Sequence, residues 1–72
     1  MKRVEIDGEF ITLGQFLKFA GIVDSGGDAR ALLDDEGVLV NGDVEVRRGR
    51  KLRDGDIVSA FAEEYSVTHK SV

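Results

Sequence analysis

Apolar residues in the stretch TLGQFLKFAG, residues 12–21, recur at the spacing of one helix face. The members of this face, at positions i, i+3, i+4 and i+7, are Leu13, Phe16, Leu17 and Ala20. Thr12, with Gln15 three residues later, forms a capping-box pattern, and Gly21 can end a helix in the left-handed conformation. The stretch therefore predicts a short helix.

The same kinds of signal predict a second helix in SGGDARALLDDEG, residues 25–37. Ser25 and Asp28 repeat the capping-box pattern, and Gly37 is the candidate stop. The apolar stripe between them consists of Ala29, Leu32 and Leu33.

Other apolar residues alternate with polar ones in the manner of strands. In residues 38–61, VLV and VEV flank Asn41-Gly42, one of the strongest short hairpin signals. A basic strand, RRGRKLR, is predicted next, followed by a turn at Asp54-Gly55 and the strand DIVSAF. In residues 3–11, RVEIDGEFI predicts a short strand or a small hairpin that turns at Asp7-Gly8.

These elements predict an α+β domain, in which two short helices pack on one face of a small antiparallel sheet. We expect residues 1–61 to form this single domain. The C-terminal tail AEEYSVTHKSV, residues 62–72, has weak periodicity, and we expect it to fray. The phenylalanines expected in the core are Phe10, Phe16 and Phe19, and we therefore expect no base-stacking platform of the single-strand-binding kind.

The composition excludes several classes of protein. The chain has 72 residues, enough for one small domain, and it has no cysteine and no apolar run long enough for a signal peptide or a membrane span. We therefore expect a cytoplasmic protein without a membrane partner. The single histidine, His69, has no evident catalytic partner, and no GxxxxGK[ST] phosphate loop is present. We predict that the chain is not an enzyme and takes no cofactor, metal or small-molecule substrate.

Half of the chain's ten basic side chains are concentrated in seven residues, although the formal net charge is −4. They are Arg47, Arg48, Arg50, Lys51 and Arg53. One or two cations would keep an edge strand from pairing with another sheet, but five exceed that need. Because the planar fork of arginine matches phosphate oxygens and stacks on bases, the cluster favours nucleic-acid binding. A protein partner with an acidic face and a merely solvated strand edge are the alternatives.

Gly26-Gly27, at the start of the second predicted helix, is a weaker candidate for a phosphate contact. Two glycines leave the backbone N–H groups of the first helical turn unshielded, and that end of a helix attracts anions. The simpler explanation is that the glycines let the chain turn sharply into the helix. Asp28, next to them, would repel an anion.

The segment SGGDARALLDDEGVLVNGDVEVRRGRKLRDGDIV resembles an S-four domain, the RNA-binding module named after the fourth small-subunit ribosomal protein. The matching features are a serine that opens a helix, apolar residues on its inner face, a V-x-V-N-G hairpin, a basic strand and a G-D-I strand. The residues that carry them are Ser25, Ala29, Leu32, Gly37, Val38, Val40, Asn41, Gly42, Gly55, Asp56 and Ile57. The stretch ITLGQFLKFAGIVDSGG is similar, more narrowly, to the short stand-alone bacterial members called YaaA-like or YbcJ-like.

The resemblance implies the αL motif, two helices against a small sheet, and binding of structured RNA, usually ribosomal or transfer RNA. It places the contacts at the start of the first helix, in residues 26–30 and on the basic strand. This chain has Thr12-Leu13-Gly14 where many members have R-L-D, and Gly26-Gly27 where many have a basic residue. The expected contacts therefore shift to the basic cluster, with secondary contacts from Gln15, Lys18, Arg30 and Asn41.

The main hypothesis from the sequence is thus a non-catalytic protein that binds structured RNA, with ribosomal RNA, a tRNA-like RNA or a ribosomal subunit as partner and a role in ribosome assembly or maturation. The competing hypothesis is a protein-interaction adaptor whose basic strand docks an acidic partner.

Overall fold

The computed structural model describes residues 1–70, which form seven strands and two helices. In chain order they are β1 (Lys2–Ile6), β2 (Ile11–Thr12), α1 (Leu13–Phe19), α2 (Gly26–Asp35), β3 (Val38–Val40), β4 (Asp43–Glu45), β5 (Lys51–Leu52), β6 (Ile57–Ala60) and β7 (Glu63–His69). Neither helix in this part of the chain is long and apolar enough to cross a membrane.

Five strands form the larger sheet in the order β1-β7-β6-β3-β4, and the two helices pack against it. The α+β prediction is confirmed. The sheet is mixed, however, and not purely antiparallel, because β1 pairs in parallel with β7 while the other pairs of this sheet are antiparallel.

The expectation that residues 62–72 form a frayed tail is wrong for Glu63–His69. This segment is β7, which lies between β1 and β6 and hydrogen-bonds to both. Backbone bonds also join it to the turn before β6, since the Gly55 N–H donates to the Val67 carbonyl at 2.9 Å and the Val67 N–H donates to the Asp56 carbonyl at 2.8 Å. Residues 71 and 72 of the predicted tail lie outside the described residues.

Of the two alternatives predicted for residues 3–11, the short strand forms, as β1. The hairpin at Asp7-Gly8 does not form, because the two segments on either side of it join different sheets. β1 pairs with β7, whereas β2 pairs antiparallel with β5, and Ile11 lies opposite Leu52. The predicted basic strand is also shorter than expected: only Lys51–Leu52 is strand. Leu52 is the one apolar residue in RRGRKLR, so only there does the segment have a side chain to bury against a partner strand.

Both helices begin at the predicted caps. The Thr12 side chain accepts a hydrogen bond from the Gln15 N–H, and the Gln15 side chain accepts one from the Thr12 N–H, which completes the capping box. The Ser25 side chain accepts a bond from the Asp28 N–H at 3.1 Å. The predicted hairpin at Asn41-Gly42 is also confirmed, with both residues at positive φ, as a type I′ turn requires.

The core lies between the helices and the inner face of the sheet. The largest fully buried side chains, which come from the helices, the larger sheet and β5, are Leu13, Phe16, Leu17, Leu33, Leu52, Val58 and Val67. Phe16 is in the core as expected, but Phe10 is 41% exposed and Phe19 is 59% exposed, so the expectation is wrong for these two. Phe19 lies outside the arc of the helix that faces inward, and Phe10 precedes a strand whose inward residue is Ile11.

The outer face of the larger sheet is turned away from the helices. Val38 and Val40 are buried, so Leu39 between them points to the outer face. Its partners in the neighbouring strands, Val44 and Ser59, lie on the same face. By the same alternation, the outer face at β1 carries Arg3 and Glu5. A cation on this face is therefore separated by the core from the helices.

Candidate nucleic-acid interface

The basic loop, defined as residues 47–50, lies against the first turn of α1. The Leu13 N–H donates to the carbonyl of Arg50 at 2.8 Å, and the Gly14 N–H donates to the carbonyl of Arg48 at 3.0 Å. The first N–H groups of a helix have no acceptor within the helix, so these bonds satisfy them. A Cβ on Gly14 would lie 3.4 Å from the Cβ of Arg48, so the loop and the helix are in close contact. The backbone of the loop is thus held by α1.

This attachment brings Arg48 to an open cleft of about 320 Å³ at the helix pair. The cleft is lined by Thr12, Gly14, Gln15, Lys18, Gly26, Ala29 and Arg48. Two of these residues are cations, and none is acidic. The cleft therefore combines a concave shape with positive charge, which suits an anionic polymer.

The ribbon, defined as β2 paired with β5, extends the cationic surface beyond the cleft. Ile11 and Leu52 lie opposite each other and pack toward the core, so Thr12 and Lys51, the other pair, point away from it. Thr12 also lines the cleft, which makes the outward side of the ribbon continuous with it.

Phe10 lies beside two of the predicted cations, next to the ribbon. The Nζ of Lys51 is 4.7 Å from the centre of the Phe10 ring, and the Cζ of Arg53 is 5.7 Å from it. Cations at such distances are attracted by the negative face of an aromatic ring. Phe10 therefore gathers Lys51 and Arg53 at the outward side of the ribbon.

Glu45 holds the other two arginines. Its carboxylate accepts bonds from Arg47 Nη2 at 2.9 Å and Arg47 Nε at 3.1 Å, and it lies 3.3 Å from Arg50 Nε. The same carboxylate accepts bonds from the backbone N–H groups of Val46 and Arg47. Hydrogen bonds from the Arg47 side chain and backbone lower the pKa of Glu45 from 4.5 to about 2. The carboxylate also raises the pKa of Arg47.

We expect Glu45→Gln to remove part of the acid sensitivity of the fold. Because the pKa of Glu45 is lower in the folded chain, its contribution is fully present above about pH 4.5 and is lost as the pH falls through about 2. Urea unfolding of the parent should show stability falling across that window, and Glu45→Gln should flatten the fall. Glu64→Gln, which removes an exposed carboxylate from the outer face, is the control and should follow the parent. Identical pH profiles for all three chains would contradict the role of Glu45.

The structure therefore divides the predicted basic cluster. Arg47 and Arg50 are paired with Glu45, whereas no ion pair found within residues 1–70 involves Arg48, Lys51 or Arg53. The role of Glu45 was not predicted from the sequence. The signal was present, since residues i and i+2 of an extended segment point to the same side and Glu45 stands two before Arg47.

The secondary residues have different surroundings. Gln15, Lys18 and Gly26 line the cleft, whereas Gly27 does not. Arg30 lies 3.8 Å from Asp34 in an exposed pair one helical turn apart. The side-chain amide of Asn41 is used within the fold: its Nδ2 donates to Asp56 at 3.0 Å, and its Oδ1 accepts from the Ile57 N–H at 2.9 Å.

Comparison with known protein families identifies the class to which this fold belongs. A family model for the S4 domain matches residues 4–68, which is most of the chain and includes nearly all of β7. The chain therefore belongs to the S4 domain family, and the predicted resemblance to S-four domains is confirmed.

A bacterial protein is also similar to this chain in sequence. It is the probable ribosome maturation protein RlbA of Bacillus subtilis (strain 168), which is 54% identical over 55 residues. The aligned region covers 76% of this chain and 78% of the relative.

Proposed function

We propose that this chain is a non-catalytic RNA-binding protein that recognises structured RNA, with ribosomal RNA as the favoured ligand and a role in ribosome assembly or maturation. Membership of the S4 domain family and the name of the Bacillus subtilis relative support this proposal. The observation that carries it is the cleft at the helix pair, which has cations and no acid in its lining and to which the backbone of the basic loop is fixed.

The contacts we propose come from four cations that lie at the cleft or beside it and that have no ion pair in the described part of the chain. These are Lys18 and Arg48 in the cleft, Lys51 on the ribbon, and Arg53, which follows β5 and lies beside Phe10. Double-stranded RNA offers phosphates and 2′-hydroxyl groups across a shallow groove, so recognition by such a surface is mostly of shape. Arg47 and Arg50 have a supporting role, since Glu45 neutralises part of their charge.

Charge reversal at Arg48 tests this proposal. We expect Arg48→Glu to weaken binding of a ribosomal-RNA hairpin by about ten- to a hundredfold, because a charge-assisted hydrogen bond is worth roughly 1.5–3 kcal/mol and the new carboxylate adds repulsion. Four neutralised phosphates would give the parent a slope of about −3.6 in log affinity against log salt, and the variant should lose about one unit of that slope. Fluorescence anisotropy between about 50 and 200 mM salt measures both quantities.

Arg3→Glu is the matched control, because it makes the same change of net charge on the outer face of the sheet. It should bind the hairpin nearly as the parent does. Equal weakening by both reversals would show that only overall charge matters, and an unchanged Arg48→Glu would remove the cleft from the RNA site. The adaptor hypothesis would be favoured if a protein co-purified with the parent even after ribonuclease treatment and did not co-purify with Arg48→Glu.

The ribosomal part of the proposal needs an experiment in cells. Crosslinking of the parent chain to RNA, followed by sequencing of the attached fragments, should return ribosomal RNA enriched at a small number of positions. Arg48→Glu should lose that enrichment, and Arg3→Glu should keep it. Fragments drawn evenly from messenger, transfer and ribosomal RNA would contradict a ribosomal role.

A further inference from the structure

We propose that Phe10 is a stacking platform for one unpaired base of the RNA. This inference rests on the proposed RNA-binding function, and it adds that the ligand carries an unpaired nucleotide beside its double-stranded part. It also departs from the expectation, drawn from the sequence, that the phenylalanines serve only the core.

The first observation is that the Phe10 ring is available to a ligand. The residue is 41% exposed, whereas Phe16, the core phenylalanine, is fully buried. The neighbour of Phe10 in sequence, Ile11, is the residue that packs against the core at this point. Burial of the core therefore does not account for an aromatic ring at position 10.

The second observation is the chemistry around the ring. Lys51 Nζ and Arg53 Cζ lie 4.7 and 5.7 Å from its centre, and both residues are exposed. Proteins hold unstacked RNA bases on aromatic rings, with cations beside them for the phosphates. When a base stacks on Phe10, it takes the place of one cation over the ring. The displaced side chain, Lys51 or Arg53, is long and exposed, and it is then free to contact the phosphate of the same nucleotide.

The third observation is position. Phe10 and Thr12 are two residues apart in extended chain, so they are roughly 7 Å apart on the same side of the ribbon. Thr12 lines the cleft, and Lys51 lies opposite it in the ribbon. A base on Phe10 would thus lie at the edge of the surface that holds the helical part of the RNA. The other exposed phenylalanines, Phe19 and Phe61, have no cation over their rings among the described residues.

The test compares two hairpin RNAs, one fully paired and one with a single bulged 2-aminopurine, against the parent chain, Phe10→Leu, Phe10→Tyr and Phe19→Leu. The parent should bind the bulged RNA about tenfold more tightly than the paired RNA and quench its fluorescence. Phe10→Leu should lose both the preference and the quenching. Phe10→Tyr, which keeps the ring, should retain them, as should Phe19→Leu. Thermal unfolding checks that each variant is folded.

The outcomes separate this inference from the proposed function. If Phe10→Leu prefers and quenches the bulged RNA as the parent does, the stacking platform is overturned and the RNA-binding function stands. If the parent binds both RNAs equally, with no quenching, the platform is likewise overturned. If the parent binds neither RNA at low salt, the proposed function fails, and the inference fails with it.

Discussion

Replacement of Val67 by Asp is expected to unfold the chain. Val67 is 1% exposed and lies in the middle of β7, opposite Val4 of β1. A carboxylate at this position would be buried without a partner, at a cost of several kcal/mol. Since a small domain is stable by only about 5–15 kcal/mol in total, such a loss removes most or all of its stability. Circular dichroism and urea unfolding measure the effect.

Thr68→Asp is the matched control for this prediction. Thr68 is the next residue of the same strand, and its side chain is half-buried on the outer face, where a carboxylate can remain in contact with water. This variant should stay folded and lose about 1 kcal/mol or less. A folded Val67→Asp chain with the stability of the parent would mean that β7 is dispensable, as the sequence first suggested.

Replacement of Gly37 by Ala is the second large effect that we expect. Gly37 follows α2 with a φ of 77°, which alone costs a residue with a Cβ roughly 1–2 kcal/mol. An added Cβ would also lie 3.0 Å from the Glu45 carbonyl oxygen and 3.1 Å from methyl groups of Val44 and Val46. The carbonyl belongs to the hairpin and cannot rotate away, so this crowding adds about 1–3 kcal/mol. We expect a total loss of roughly 2–5 kcal/mol in urea unfolding.

Gly21→Ala separates the cost of the positive φ from the cost of crowding against the hairpin. Gly21 follows α1 with nearly the same φ, 76°, but a Cβ there would meet nothing within 4 Å. This variant should therefore lose only the backbone cost, roughly 1–2 kcal/mol. Equal losses at the two glycines would show that the contact with the hairpin contributes nothing. A larger loss at Gly37 would show that the end of α2 is packed directly against the strand that carries Glu45.

The features that the sequence predicted well are those specified by neighbouring residues. The caps at Thr12 and Ser25 need only a side-chain oxygen and an N–H three residues later. The hairpin at Asn41-Gly42 needs two residues that tolerate positive φ. Such signals extend over four residues or fewer, and the chain carries them whatever the rest of the fold does.

The features that it predicted poorly depend on pairing between distant segments. β7 alternates as a strand does, but small and polar residues occupy its outward positions, so only Tyr65 and Val67 carry the apolar signal. Nothing near β1 indicates that its partner is the last strand.

The basic cluster shows the same limit at the candidate site. Its position near the start of α1 followed from family resemblance, but its division into paired and free cations depends on Glu45. The outward direction of Phe10 depends on the pairing of Ile11 with Leu52, a residue far along the chain. Neither the pairing of the arginines with Glu45 nor the outward direction of Phe10 can be predicted from a count of charges, because such a count does not say where side chains point.

The parallel pairing of β1 with β7 has a consequence for synthesis. Lys2 lies opposite Tyr65, 63 positions later in the chain, so the first strand has no sheet partner until the last one has been made. Topologies with such distant contacts fold slowly, because the entropy of closing a long loop is lost before the contacts can stabilise the fold. A nascent chain that ends before β7 therefore leaves the edge of β6 open, and the competent domain arises only after that strand is complete.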